Sequence, residues 1–290
     1  MKLVYLGSPE PAVRPLQALI AAGHEVVLAV SRADAKRGRG GELSPSPVKA
    51  AAVDLGIATT DRPDDVLDAV KRGAELGVVV AYGRLIKPPL LAALPFVNLH
   101  FSLLPRWRGA APVERALLAG DAETGVCLMA LEAGLDTGPV YRRVVTPIGA
   151  DEPVGALRDR LVVLGTELLL NALSDGLGPA TTQEGEATYA AKLDPAEFEL
   201  SFDRPAAELH RLVRLGVAWT MFRGKRLKVL EAQLVESGPP MGRFGDDGVT
   251  VGAAVGGLRF LTVQPEGKAA MDAPAWRNGA QPRSGEHVGA

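Results

Sequence analysis

The first thirty residues predict a strand, a helix and a second strand, and this order constrains the fold more than any other feature. Residues 2–6 and 25–30 are apolar runs of strand length, and residues 12–22 carry leucines at helical spacing before Gly23. Strands that alternate with helices are typical of a parallel sheet. Residues 76–82 form another apolar run, as in strands that are buried on both faces. We therefore predict an α/β, Rossmann-like domain built on a parallel sheet.

The turn after the first predicted strand argues against one common function of such sheets. Gly7 is followed by Ser8, Pro9 and Glu10, so the G-x-G-x-x-G pattern that cradles a dinucleotide is missing there. We therefore do not expect a nucleotide-dependent oxidoreductase.

The last third of the chain has a different pattern. Residues 205–215 predict one helix, and short apolar runs separated by glycines then predict antiparallel strands. Such strands favour a small β-barrel, for which an OB-like barrel is the natural candidate. We predict a catalytic domain over residues 1–177, a linker over 178–200 and an OB-like domain over 201–290. The predicted barrel is short, and the tail from Pro274 onward shows no periodicity.

The composition bears on where the protein is located, on whether it contains a disulfide and on which partners its charge favours. No apolar run is long enough to cross a membrane, and the first strand is too short for a signal peptide. The single cysteine, Cys127, predicts a buried thiol and excludes an internal disulfide. We expect a cytoplasmic protein. The net charge is −2, and residues 201–290 carry 12 basic against 9 acidic side chains, which is weak support for a nucleic-acid partner.

The apolar run over residues 96–100 contains two polar residues, Asn98 and His100. In a strand both side chains point to the same face, which offers an amide for a carbonyl oxygen and an imidazole for a proton. Asp136 lies in a glycine-flanked loop that is able to turn back, where its carboxylate would fix the tautomer of His100 and raise its pKa. From the spacing alone, a structural histidine and an ordinary loop aspartate remain the commoner interpretation.

Four ordered motifs in this region resemble the folate-dependent formyltransferases. They are Asn98-x-His100, Ser102-Leu103-Leu104-Pro105, Arg108-Gly109-Ala110-Ala111-Pro112 and Leu135-Asp136-Thr137-Gly138. The resemblance implies that Asn98, His100 and Asp136 form a catalytic triad that transfers a formyl group from 10-formyltetrahydrofolate. No metal is expected, because the remaining histidines are scattered and the single cysteine is apolar, so no ligand spacing is present. The resemblance also implies a set of residues that hold the folate: Ser102, Leu103, Leu104, Pro105, Tyr82 and Leu85.

A basic segment precedes these motifs. Residues 31–49 hold five basic and two acidic residues among glycines and prolines, which predicts a surface loop. Composition alone favours a solvated connector, but the segment resembles the loop with which some formyltransferases grip a tRNA acceptor stem. The resemblance implies initiator methionyl-tRNA as the acceptor, and we expect a monomer. The residues predicted to contact tRNA are Arg37, Arg39, Lys49, Arg223 and Lys225.

Other functions stay open on the sequence. The same chemistry suits a nucleotide-linked amino sugar as the acceptor, or water in a hydrolase of formyltetrahydrofolate. A non-enzymatic RNA-binding protein on a degenerate formyltransferase fold is a further alternative, but it requires a broken triad and all three residues are present. The basic segment and the predicted barrel favour tRNA.

Overall fold

The computed structural model describes residues 1–37 and 41–289. The chain divides into two compact units, which are described separately below. The first unit contains Met1–Val113, Glu123–Pro147 and Leu157–Ala191, and the second contains Glu114–Ala122, Ile148–Ala156 and the chain from Lys192 onward. None of the described helices is long and apolar enough to cross a membrane.

Strands and helices alternate along the first unit, as predicted. Its strands are β1 (Lys2–Gly7), β2 (Glu25–Val30), β3 (Ala35–Arg37), β4 (Glu42–Ser44), β5 (Thr59–Thr60), β6 (Leu76–Val80), β7 (Phe96–His100), β8 (Arg108–Gly109), β9 (Glu123–Ala130), β10 (Val140–Pro147) and β11 (Tyr189–Ala190). Its helices are α1 (Val13–Ala21), α2 (Pro47–Asp54), α3 (Val66–Lys71) and α4 (Pro88–Ala93). Two further helices contain residues of both units: α5 (Pro112–Ala119) and α6 (Val154–Asp175).

The central sheet of the first unit is mostly parallel. Its strand order is β10-β9-β7-β6-β1-β2-β5, in which β9 and β10 are antiparallel additions at one edge. Strands β6 and β7 are buried along their whole length, because both faces of the sheet are covered. The predicted α/β class is confirmed. The parallel strands β1, β6 and β7 end at one edge of the sheet, which is where ligand sites form in such folds.

The basic segment contains a short hairpin that sequence analysis missed. Strands β3 and β4 pair antiparallel, with Arg37 opposite Glu42. The prediction of a surface loop over residues 31–49 did not include this pairing. A hairpin this short is held by backbone hydrogen bonds and needs no apolar alternation, so the composition gives no sign of it.

The second unit is built on antiparallel strands, as predicted. Its strands are β12 (Trp219–Phe222), β13 (Lys225–Val235), β14 (Thr250–Gly252), β15 (Gly257–Pro265) and β16 (Met271–Asp272), and its own helices are α7 (Ala206–Val213) and α8 (Ala273–Ala280). They form a sheet in the order β12-β13-β15-β14, with β16 paired to β15. The core of this unit contains a cluster of aromatic rings in mostly edge-to-face contact: Phe222, Phe244, Phe260 and Trp276.

Backbone hydrogen bonds close this sheet into a ring. The segment around Phe244 pairs with β14 on one side and with the segment around His287 on the other. The N–H of Gly289 then donates to the carbonyl of Met221 in β12, at 2.8 Å. The tail from Pro274, which has no periodicity, thus supplies helix α8 and the last link of the predicted barrel.

Part of the predicted linker belongs to the first unit. Strand β11 pairs in parallel with β8, so that Tyr189 lies opposite Arg108. Thr181 also exchanges backbone hydrogen bonds with Val140 of β10, at 2.8 and 2.9 Å. Residues 178–191 are thus part of the fold of the first unit, while the predicted domain boundaries stay predictions.

Candidate active site

Strand β7 presents two polar side chains from within the first unit. Asn98 and His100 are 8 % and 5 % exposed, and they alternate with the apolar Val97 and Leu99. His100 lies opposite Cys127 of β9. The thiol of Cys127 is free and buried, as predicted, and burial raises its pKa. Burial of an amide and an imidazole costs free energy unless both have polar partners, and the partners of His100 are described next.

Asp136 lies beside His100, as the sequence predicts. One carboxylate oxygen, Oδ2, is 3.7 Å from Nδ1 of His100, and both side chains are nearly buried. The same oxygen accepts a hydrogen bond from the backbone N–H of Gly109 at 2.8 Å. At 3.7 Å the carboxylate and the imidazole are too far apart for a direct hydrogen bond, so their interaction is one of charge. The structure thus brings this predicted pair together, and its catalytic role stays a prediction.

The tautomer of His100 is set by the backbone and not by Asp136, contrary to expectation. Nε2 lies 2.8 Å from the carbonyl oxygen of Trp107, which only accepts, so the neutral ring carries its proton on Nε2. Nδ1 is then the nitrogen that is free to accept a proton, and it faces Asp136.

The pKa of His100 is also not raised overall. Burial lowers the pKa below its ordinary value of 6.5, although Asp136 and the carbonyl of Trp107 each raise it. His100 is therefore neutral at pH 7, with Nδ1 available as a base. The expected effect of Asp136 is present, but desolvation outweighs it.

Three of the five described non-glycine residues with a left-handed φ angle lie in the first unit. Ala81, Trp107 and Asp136 have φ angles of 47°, 64° and 51°, in the left-handed region that favours glycine. Ala81 directly follows β6, Trp107 holds His100, and Asp136 carries the carboxylate. Each such residue costs roughly 1–3 kcal/mol and persists only where its surroundings fix it. Strain of this kind is typical of functional sites.

The residues predicted to hold folate differ in exposure. Ser102 and Leu104 are buried, and the Ser102 hydroxyl donates to the carbonyl of Arg106 at 2.6 Å. Leu103 and Pro105 are half-buried. Their assignment to the folate site stays a prediction.

Tyr82 and Leu85 follow strand β6, at the edge where the parallel strands end. Tyr82 is buried, and burial raises the pKa of its hydroxyl, while the neighbouring Arg84 guanidinium lowers that pKa. Leu85 is 71 % exposed. A buried hydroxyl and an exposed leucine near one strand end suit a ligand with polar and apolar parts.

The residues predicted to contact tRNA belong to both units. In the first unit, Arg37 is the last residue of β3, Arg39 lies outside the described residues, and Lys49 forms an ion pair with Asp34 at 2.7 Å. In the second unit, Lys225 is an exposed residue at the start of β13. The remaining residue is Arg223, in the turn between β12 and β13, whose guanidinium pairs with Glu286. All five contacts to tRNA stay predictions.

Three groups that contact His100 or Asp136 were not predicted. The carbonyl of Trp107 and the N–H of Gly109 are backbone atoms, which side-chain patterns do not reveal. The third group is the side chain of Gln183, which donates to the carbonyl of Asp136 at 2.8 Å. Gln183 lies in the predicted linker over residues 178–200, and no sequence pattern predicted a role for its side chain.

Comparisons with known proteins cover almost the whole chain. The formyl transferase model matches residues 1–173, and the model of the formyl transferase C-terminal domain matches residues 192–281. A curated relative from Ruegeria pomeroyi, named methionyl-tRNA formyltransferase, is 41 % identical over 96 % of this chain and 97 % of its own length. Other relatives of the same name are 41–44 % identical.

Solved structures share the fold at lower identity. HypX from Aquifex aeolicus in complex with tetrahydrofolic acid matches with a TM-score of 0.66 and 16 % identity, over 96 % of this chain. The match covers 47 % of HypX, so this chain spans about half the length of that protein. An N-formyltransferase from Helicobacter canadensis, in complex with folinic acid and dTDP-3-aminofucose, matches with a TM-score of 0.67, 15 % identity, 90 % of this chain and 99 % of that chain. At these identities the similarity concerns the fold alone.

The two lines of comparison agree with the geometry of the first unit and with the antiparallel second unit. The formyl transferase model by itself covers more than half of the chain, and the curated relatives are similar along nearly their full length. The chain therefore belongs to the formyl transferase family.

Proposed function

We propose that this protein transfers the formyl group of 10-formyltetrahydrofolate to the amino group of initiator methionyl-tRNA, in the cytoplasm and as a monomer. The observation that carries the chemistry is the buried pair of His100, with a free Nδ1, and Asp136. The choice of acceptor is supported by relatives at 41–44 % identity, all named methionyl-tRNA formyltransferase.

The first proposed step concerns the carbonyl oxygen. When bound, the folate supplies a formyl carbon that an amine is able to attack. The oxygen of that formyl group gains negative charge during the attack, and the Asn98 amide donates a hydrogen bond to it. One such donor in a buried site changes the rate by about 10²–10³-fold. Asn98 is 8 % exposed, so water competes little for this bond.

The second proposed step concerns the proton that the attacking amine loses. Nδ1 of His100 accepts it, since Nε2 already donates to the carbonyl of Trp107. The resulting imidazolium is stabilised by the carboxylate of Asp136, 3.7 Å from Nδ1. The same nitrogen then returns a proton to the departing folate nitrogen.

The folate is proposed to bind beside the carboxyl end of β6, because ligands of parallel sheets bind at the carboxyl ends of the strands. Tyr82 supports this, because its buried hydroxyl lies just after β6 and is able to serve a polar ring. Leu85, with 71 % exposure, is available to cover the apolar part. Ser102, Leu103, Leu104 and Pro105 complete the proposed set, with Leu103 and Pro105 the more accessible side chains.

The second candidate acceptor is a nucleotide-linked amino sugar. It is favoured by the fold shared with the Helicobacter canadensis N-formyltransferase, at 15 % identity. An acceptor assay separates the two candidates: formyl transfer from labelled 10-formyltetrahydrofolate is measured with charged initiator tRNA, with a dTDP-linked amino sugar and with water alone. We expect transfer to the tRNA at least tenfold faster than to the sugar. Faster transfer to the sugar, or label released only as formate, would overturn the proposal.

A further inference from the structure

Gln183 lies between α6 and β11 and reaches the loop that carries Asp136. The amide nitrogen Nε2 donates to the carbonyl oxygens of Asp136 and Gly138, at 2.8 Å each. An amide nitrogen has two hydrogens, so both are used in these bonds. One side chain thus connects two carbonyl groups of the same loop.

The orientation of this amide is fixed from its other side. The oxygen Oε1 accepts from Nε of Arg108 at 3.1 Å and from Nη2 of Arg108 at 2.7 Å. A guanidinium only donates and a backbone carbonyl only accepts, so one orientation of the amide satisfies every partner. Arg108 is itself fixed, because its backbone N–H donates to the carbonyl of Thr188 at 2.9 Å.

The loop that Gln183 holds is tight and strained. Asp136 has a φ angle of 51°, which disfavours a residue with a side chain. A Cβ at Gly138 would overlap the carbonyl oxygen of Ala130, so the chain has little space to rearrange around the next turn. A strained residue keeps its conformation only where several contacts over-determine it.

Asp136 is held at two points. The N–H of Gly109 fixes the carboxylate, and the amide of Gln183 fixes the backbone carbonyl. We propose that Gln183 is a positioning residue that keeps the carboxylate of Asp136 next to Nδ1 of His100. This inference rests on the proposed function, in which that carboxylate stabilises the imidazolium.

Removal of the amide is expected to act through Asp136. When Gln183 no longer donates its two hydrogen bonds, Asp136 is free to relax toward an unstrained φ angle. Its carboxylate then moves away from His100. A misplacement of about 1 Å is able to lower a rate by as much as about 100-fold. Since Gln183 contacts backbone carbonyls and not the proposed substrates, kcat falls while the KM values for folate and tRNA stay the same.

The test is a double-mutant cycle with the full chain. We measure kcat and KM for Gln183→Ala, for the isosteric Gln183→Glu, for Asp136→Asn and for the Gln183→Ala/Asp136→Asn pair. Both Gln183 variants are expected to lower kcat about 10- to 100-fold, since a carboxylate cannot donate to the two carbonyls. The pair is expected to be no slower than Asp136→Asn, because both changes remove one function. Gln17→Ala, an exposed glutamine of α1, is the control and keeps the kcat of the unmodified protein.

A second readout does not depend on activity. The pH titration of the His100 ring is followed by NMR in the unmodified protein and in Gln183→Ala. The carboxylate of Asp136 raises the pKa of His100, so its displacement is expected to move the midpoint to lower pH. An unchanged midpoint with a folded variant, or fully additive losses of kcat, would overturn the inference. A shifted midpoint in a protein that formylates no tRNA would support this inference and reject the proposed function.

Discussion

The guanidinium of Arg223 donates to both carboxylate oxygens of Glu286, from Nε at 2.6 Å and from Nη2 at 2.8 Å. Arg223 lies in the turn after β12, and Glu286 lies in the tail segment that completes the ring of the second unit. This ion pair therefore connects the tail to the turn after β12 through two side chains. The backbone hydrogen bond between Gly289 and Met221 is a second connection. Bidentate pairs of this geometry are the strong class of charged hydrogen bond.

We first predict that Glu286→Gln destabilises the folded protein at neutral pH. The Arg223 guanidinium lowers the pKa of Glu286 from 4.5 to about 2. Because the folded value lies below the unfolded one, this stabilisation is fully present above about pH 4.5 and is lost as the pH falls toward 2. Thermal unfolding at pH 7 should give a lower Tm for the variant, and the difference should shrink at pH 3. The control is Glu236→Gln, at an exposed position directly after β13. An equal Tm for both variants would contradict the prediction.

The second prediction concerns the amide of β7. Asn98→Ala should lower kcat by about 10²–10³-fold with little change in KM, because the lost hydrogen bond strengthens as the oxygen gains charge. Steady-state kinetics together with circular dichroism measures this, and Asn171→Ala, an exposed asparagine of α6, is the control. A kcat close to that of the unmodified protein would remove Asn98 from the mechanism. The alanine variants of His100 and Asp136 should likewise lose turnover while they remain folded.

The third prediction is a pH profile. Burial lowers the pKa of His100 below 6.5, so kcat/KM should fall on the acid side only below pH 6.5, where Nδ1 becomes protonated. Asp136→Asn removes the charge that raises this pKa, so the acid limb should move to lower pH while kcat decreases. An acid limb that moves to higher pH would mean that the carboxylate does not act on His100.

The fourth prediction concerns tRNA affinity. Lys49→Ala and Arg39→Ala should each raise the KM for tRNA, leave the KM for folate unchanged and reduce the slope of log affinity against log salt by about 1. Lys49 pairs with Asp34 at 2.7 Å, and Lys71 of α3 forms a similar pair with Asp68 at 2.8 Å. Lys71→Ala is therefore a matched control. Equal effects of the two lysine variants would show that lost surface charge, and not a tRNA contact, is responsible.

Much of the first unit is predictable from its sequence, because its signals are local. Alternation along residues 96–100 predicts that Asn98 and His100 share a face, and the glycines around Asp136 predict the turn that brings it back. The groups that hold His100 and Asp136 were not predictable in this way. Gln183 is 47 positions from Asp136 in the sequence, and no periodicity connects two residues at that distance.

Backbone groups explain the other differences between sequence and structure. The carbonyl of Trp107 sets the His100 tautomer, and every residue type offers such a carbonyl, so the sequence carries no sign of it. The last link of the second unit, from Gly289 to Met221, is likewise a backbone bond. The net decrease in the pKa of His100 depends on burial, which a linear pattern does not measure.

In the proposed reaction, the buried groups of β7 act with Asp136 to formylate the amine of an aminoacyl-tRNA. The most direct measurement mixes the purified protein with radiolabelled 10-formyltetrahydrofolate and initiator methionyl-tRNA, and locates the label after hydrolysis of the tRNA ester. We predict that the label is recovered as N-formylmethionine, that N-acetyl-methionyl-tRNA receives none, and that His100→Ala abolishes the product. Label recovered only as formate, or on a tRNA without a free amino group, would rule out this reaction.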